Sequence, residues 1–197
     1  GDQTAVVFSD RNGTDCTPLG LQAEARPSAA LVAPAVKYQP LMELGRGGSA
    51  VVSAALARGI GGFSKLVVLK VTRAEIGDHP EAVRMFLNEA RLSARMNHPN
   101  VVQTIEVGEA GGRYFLAMEY LEGQPLHRVL RHNDARARLG LDMRLHMLIQ
   151  ALAGLHYAHE RRDYDGSPLD IVHRDVSPAN LFVTYEGNVK LMDFGAF

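Results

Sequence analysis

The sequence predicts an α+β fold, a small antiparallel sheet bearing one helix and followed by a mainly helical portion. Three observations carry that prediction. β-Branched runs alternate with glycine clusters from Tyr38 to Thr72. A stretch of helical period interrupts them at 78–97. Leucines at alternating spacings of three and four then run from Leu141 to Leu155.

Each element has its own signal. Residues 1–37 mix Gly, Pro, Ser, Ala and Asp without a sustained period and are expected to be a poorly ordered lead-in. From Tyr38 the texture changes. YQPLMEL and AVVSAAL flank one glycine cluster, and KLVVLKVT follows a second, RGIGGF; glycine supplies the positive φ that tight turns between strands need. GDHPEAVRMFLNEARLSARMN takes a helical period, with Asp78 as N-cap and Pro80 in the first turn. Val83, Phe86, Leu87, Ala90 and Ala94 form one face. After the His98-Pro99-Asn100 turn, VVQTIEVGEAGGRYFLAMEYL reads as a hairpin turned at Gly111-Gly112. EGQPL reads as a linker, so the expected boundaries are a first lobe at 38–118, a connection at 119–124 and a second portion at 125–197. There the leucine-spaced helix is followed by a polar loop, RRDYDGSPLD, and by short strands around LFVTY and NVKLM.

Composition excludes several classes. The 197 residues are 46% apolar and 22% charged, ordinary globular usage that a wholly disordered chain would not show. Lys+Arg 21 against Asp+Glu 22 leaves a net charge of -1, so nucleic acid and anionic membrane are not expected as partners. No apolar run approaches the roughly 20 residues that span a bilayer. The N-terminus carries no basic region followed by an apolar core. The single cysteine, Cys16, cannot close an internal disulfide, which points to a reducing compartment and a cytoplasmic location.

Three constellations bear chemistry. Gly45-Arg46-Gly47-Gly48-Ser49-Ala50 lets backbone N–H groups approach a phosphate. A ligand-free glycine hairpin fits the same letters. So does a dinucleotide fingerprint, with SAVVSAALARG as a helix and Glu75 as ribose ligand. Lys70 lies in VVLKV and points its ammonium to one face of a half-buried strand, although an exposed edge lysine reads the same way. Glu89, 19 residues on, leans toward the apolar face of its helix; pairing with Lys70 satisfies both groups, and a surface glutamate is the alternative. Finally, HRDVSPANLFVTYEGNVKLMDFG sets Asp175, Asn180 and Asp193 at separations of five and thirteen. Asp and Asn supply hard oxygen ligands suited to Mg²⁺, and a separate Asp can accept a hydroxyl proton during phosphoryl transfer.

With those motifs in that order, the segment from Tyr38 to Phe197 resembles the eukaryotic-type protein-kinase family. ELGRGGSAVV stands at the Gly-rich loop, VVLK at the strand lysine, HRDVSPAN at the catalytic loop and DFG at the metal aspartate. HRDVSPAN, preceded by YDGSPLDIV, looks most like bacterial members, those of myxobacteria in particular. The resemblance implies an ATP- and Mg²⁺-dependent enzyme that phosphorylates Ser or Thr of protein substrates. It implies that Lys70 holds the α/β-phosphates and pairs with Glu89, that Asp175 is the base, and that Asn180 and Asp193 hold Mg²⁺. Leu44 and the glycine-loop residues 45–50 would cover the nucleotide. Val52 and Val68 would roof the adenine over Phe182, with Met118 at the back and the backbone of Glu119 and Leu121 at its edge. The dinucleotide reading has no use for the Asp175/Asn180/Asp193 spacing.

The sequence departs from the family in three places. Ala50 replaces the third glycine of the loop, a strained choice if that position has a positive φ. Ser177 stands where Ser/Thr members usually carry a lysine near the γ-phosphate, which favours as alternative a weak or pseudokinase-like ATP-binding module acting through partners. The letters stop two residues after Gly195, so the resemblance implies a truncated catalytic domain. Its leucine helix face would otherwise pack on further helices. His156 and His159, spaced i, i+3, and the basic stretch Arg128, Arg131, Arg136, Arg138 and Arg144 read as structural and solvated groups respectively.

Overall fold

A computed structural model describes residues 37–73, 79–131 and 139–194, all within one compact unit that begins at Ala35. The lead-in to residue 36, with Cys16, lies outside these residues. So do Glu75, the Asp78 cap, Arg136, Arg138 and Gly195.

The runs read as strands pair antiparallel in a five-stranded sheet of order β1-β2-β3-β5-β4: β1 Lys37–Arg46, β2 Ala50–Arg58, β3 Ser64–Thr72, β4 Thr104–Ala110 and β5 Arg113–Glu119. The β4–β5 turn holds Gly111 and Gly112 at φ 59° and 70°, the two positive values that match the twist of a two-residue hairpin. Ala50–Arg58 is a strand and not the helix a dinucleotide fingerprint requires, because its small and β-branched residues pair along their whole length with β3. Ala50 itself does not have a positive φ. It is buried opposite Thr72, so its methyl group fills space at no conformational cost.

One helix, α1 (Pro80–Ala94), lies on this sheet. Its cap is His79 in extended conformation, with Pro80 opening the first turn. Phe86 and Ala90 are buried against Leu116, with Leu87, Tyr114 and Met118 around them; Ala94, expected on that face, is exposed. Tyr114, Leu116 and Met118 alternate along β5 and so share one side of the sheet, while Phe115 and Ala117 pack on the other with Ala55, Ala57, Val67 and Leu69. Lys70 is registered opposite Val52 and Leu116, which puts its side chain on the α1 side.

The second part holds α2 (Leu126–Arg131), α3 (Leu141–His159) and a small sheet of order β6-β7-β8, formed by Gly123–Pro125, Leu181–Thr184 and Val189–Leu191. The expected linker EGQPL is therefore partly strand. Gly123 permits it, since a Cβ there would sit 2.1 Å from Val183 O. The leucine face of α3 is not the buried one. Ala151, Gly154 and Ala158 turn inward, whereas Leu141, Leu145, Leu148 and Leu152 are exposed and Leu155 is partly covered. Gly154 lets α3 come close: its Cβ would lie 2.7 Å from Asn100 O and 2.8 Å from Leu191 Cδ1. The core beneath contains Met96, Val101, Ala158, Ile171, Leu191 and Phe194.

Candidate active site

A cavity of about 390 Å³ opens between the two sheets. Its upper wall is built from Leu44, Gly45, Val52 and Val68 of β1–β3, its rear from Met118, and its edge from Glu119, Tyr120 and Leu121. Phe182 of β7 and Met192 close it from the other side, while Lys70 and Asp193 stand at its polar end. Ten residues expected around a nucleotide line it: Leu44, Gly45, Val52, Val68, Lys70, Met118, Glu119, Leu121, Phe182 and Asp193. Arg46, Gly47, Gly48, Ser49 and Ala50 do not. They form the β1–β2 turn above, closed by Gly47 N donating to Ala50 O at 2.9 Å, and Arg46 pairs with Glu43 at 2.6 Å. Arg46 and Ala50 belong to the strands that carry that turn.

The charged groups form a connected set. Lys70 Nζ donates to Glu89 Oε1 at 2.5 Å and to Asp193 Oδ1 at 3.0 Å, so one ammonium joins β3, α1 and the segment after β8. The Lys70 and Glu89 side chains are only 14% and 17% exposed, and neither charge would be stable there alone. Burial opposes the Lys70 charge, but the carboxylates of Asp193 and Glu89 outweigh it and hold its ammonium above the ordinary lysine range. Burial pushes the Glu89 carboxyl above its ordinary value; Lys70 pulls it back, and Asp193 adds to the rise.

Asp193 has a φ of 54°, and Met192 N beside it donates to Asn180 O at 3.0 Å, which brings Asn180 alongside the aspartate. Asn180 Nδ2 in turn donates to Asp175 Oδ2 at 2.8 Å and to Asp175 O at 3.0 Å. Lys70 thus joins Glu89 and Asp193 directly, Asn180 joins Asp175 directly, and the Met192–Asn180 backbone bond links the two groups. The amide oxygen of Asn180 and the second oxygen of Asp193 are the hard donors a magnesium ion takes. That donor set fits the metal, and an apolar slot of this volume ending at an ammonium fits a nucleotide.

Three further residues support the site: His173, which opens HRDVSPAN; Lys190; and Arg128, from the basic stretch expected to be solvated. His173 is 1% exposed, accepts from Asp175 N at 3.4 Å, shares a 2.9 Å contact with Met192 O and packs at a tilt against the Phe194 ring, centroids 4.5 Å apart, tying the two loops together. Lys190 donates to Glu119 Oε1 at 2.6 Å, and Gln103 N donates to the same oxygen at 2.8 Å, so the Glu119 carboxylate at the cavity edge is fixed from two sides. Arg128 of α2 lines the mouth. A buried histidine looks like any loop histidine until the loop is folded, and the Lys190 pair spans 71 residues. Elsewhere, His156 and His159 are both exposed, and no described helix is long and apolar enough to cross a membrane.

Comparison with known proteins agrees with this geometry. The protein kinase domain family matches residues 38–197. Tyrosine-protein kinase MasK of Myxococcus xanthus is 43% identical over 166 residues, covering 84% of this chain and 26% of the relative. Serine/threonine-protein kinase PrkC of Bacillus subtilis is 32% identical over 159 residues, 81% of this chain and 22% of the relative. The crystal structure of the Mycobacterium tuberculosis PknI kinase domain superposes with a TM-score of 0.61 at 29% identity, covering 80% of this chain and 58% of that one. The chain spans about a quarter of the length of the curated relatives it matches. With a family match across most of its length and the fold to go with it, this chain belongs to the protein kinase family.

Proposed function

We propose that this chain binds Mg²⁺-ATP in the cavity between its sheets and transfers the γ-phosphoryl group to serine or threonine hydroxyls of protein substrates. Residues 38–118 and 125–197 act as the two lobes and 119–124 as the hinge. The observation that carries the reading is the Lys70 ammonium held between Glu89 and Asp193, with Asn180 and Asp175 in contact beside it. A lysine fixed by two carboxylates is positioned for the α/β-phosphates, and Val52, Val68 and Phe182 accept the flat base. Asn180 and Asp193 would hold magnesium, which when bound would supply positive charge against the transferring group. Asp175, exposed and oriented by Asn180, accepts the hydroxyl proton as the acceptor oxygen bonds to the γ-phosphorus and the bond to the β-phosphate oxygen breaks. No covalent enzyme intermediate is needed, because positioning and charge supply the catalysis.

The serine/threonine assignment is supported by relatives of that name at 31–36% identity, PrkC and the mycobacterial PknA among them. MasK, at 43% identity, is named a tyrosine kinase, and that favours tyrosine as a second reading. Incubation with labelled ATP, Mg²⁺ and casein, followed by phosphoamino-acid analysis, tests both. Label on serine or threonine that falls on the order of 10²–10⁴-fold in Asp175→Asn is expected. Label on phosphotyrosine transfers the assignment to the second reading. ATP binding without transfer favours a pseudokinase-like module, the outcome that Ser177 in the lysine position would explain.

A further inference from the structure

The loop between α3 and the His173–Asp175 segment makes contacts that the phosphotransfer reading does not use. Residues 160–169 fold back on themselves. Leu169 N donates to Arg161 O at 2.9 Å, Asp163 N to Ser167 O at 2.8 Å, and Asp165 Oδ1 accepts from Ser167 N and Oγ at 2.9 and 2.6 Å. The loop is therefore a stiff strut. Its outer end meets the C-terminus of α1: Asp163 Oδ1 accepts an ion-paired hydrogen bond from Arg95, whose guanidinium also lies over the Tyr164 ring at 4.4 Å. Arg161 Nε donates to Arg95 O at 2.9 Å, a cation placed on the terminal carbonyls of the helix. Beside them, Asn97 N donates to the Tyr157 hydroxyl at 3.0 Å and His98 stacks on the same ring at 4.8 Å. The inner end of the strut runs through buried Ile171 and His173 directly to Asp175.

Phe86 and Ala90 are the only buried residues of α1, so its seat on the five-stranded sheet is narrow, and Leu92 at its end packs partly buried on the core that holds Met96 and Phe194. Glu89 lies six residues before Arg95, about 9 Å along the helix axis, and a small roll about that axis moves its carboxylate off Lys70. We propose that Arg95 and Asp163 are a positioning pair, through which the 160–169 loop fixes the end of α1 and keeps Glu89 on Lys70 while tying that helix to the segment bearing Asp175. The part of this inference that concerns turnover rests on the phosphotransfer reading; the part that concerns α1 does not.

Two readouts on the full chain test the pair. Hydrogen exchange of amides 85–94 reports on α1, with amides 151–158 of α3 as the reference, and steady-state transfer gives kcat and KM for ATP. In Asp163→Ala, exchange in 85–94 should quicken while 151–158 holds, and kcat should fall on the order of 3–30-fold with a smaller change in KM. The swap Arg95→Asp with Asp163→Arg should restore both. The proposal is overturned by unchanged α1 exchange, by equal quickening in α3, by a swap that rescues nothing, or by an unaltered kcat despite a loosened α1. Absence of transfer in the unmodified chain would defeat the phosphotransfer reading instead, and exchange in 85–94 would still decide whether the pair holds the helix.

Discussion

The chemistry concentrates on Lys70, which reconciles two carboxylates that would otherwise repel each other. Glu89 has a carboxyl raised by burial, so its contribution to stability is fully present below the unfolded value and is lost as pH rises through the folded one. Lys70 offsets that loss by pairing. In Lys70→Met the offset disappears, so the variant should unfold more easily than the parent near neutral pH. The gap in melting temperature should narrow on acidification, as pH falls through the raised value at which the buried Glu89 carboxyl takes up its proton. A gap that widens on acidification would contradict the pairing. A second residue-scale feature is Asp170, held at φ 46° just before the core residue Ile171. Asp170→Gly should leave stability level or raise it by up to about 1 kcal/mol, and Asp170→Val should cost about 1–2 kcal/mol, measured by urea unfolding. Asp175, Asn180 and Asp193 stood out by their spacing, whereas Lys70 and Glu89 each left a surface alternative open until the family resemblance paired them. Asp170 did not stand out, since a left-handed backbone at an aspartate leaves no trace in the letters around it.

Among the elements, the strands were the most legible, because apolar runs set off by glycine clusters mark them, although the continuous apolar run of β5 hides which side chains face α1 and which face away. The long helix was legible as a helix, and its leucines are largely exposed, in keeping with a face expected to pack on further helices. Its inner contact carried no such signal: α3 is seated by Ala151, Gly154 and Ala158, because a helix that must lie against β8 and the Asn100 carbonyl needs small residues at the contact. Adding one methyl there tests the seating: Gly154→Ala should cost about 1–3 kcal/mol by urea unfolding, overpacking outweighing the better helix propensity of alanine. A neutral or stabilising result would mean that α3 can withdraw from β8 freely. Gly123 in the expected linker has a second role. It suggested a break, and it also serves close backbone approach within a strand pair.

On the scale of the molecule, two sheets of opposite size meet at a slot whose apolar walls come from one order of motifs and whose charged end comes from another. The order of those motifs made the fold class readable before any coordinate. What the sequence could not reveal were the ties across the slot: Lys190 to Glu119 and Arg95 to Asp163 join residues 71 and 68 positions apart, with no periodicity to link them. These ties bring the halves to a fixed distance, and a ligand that touches both should stiffen the whole unit. The central claim is that Mg²⁺-ATP is this ligand, and its thermal unfolding signature is the most direct test. At ATP about 100-fold above its dissociation constant, binding to the folded state adds about 2.7 kcal/mol, a rise of roughly 5–10 °C in Tm. The account predicts that rise in the parent chain with Mg²⁺ present, and its near-complete loss in Lys70→Ala and Asp193→Asn. An unchanged Tm in the parent, or an equal rise in all three proteins, would contradict it.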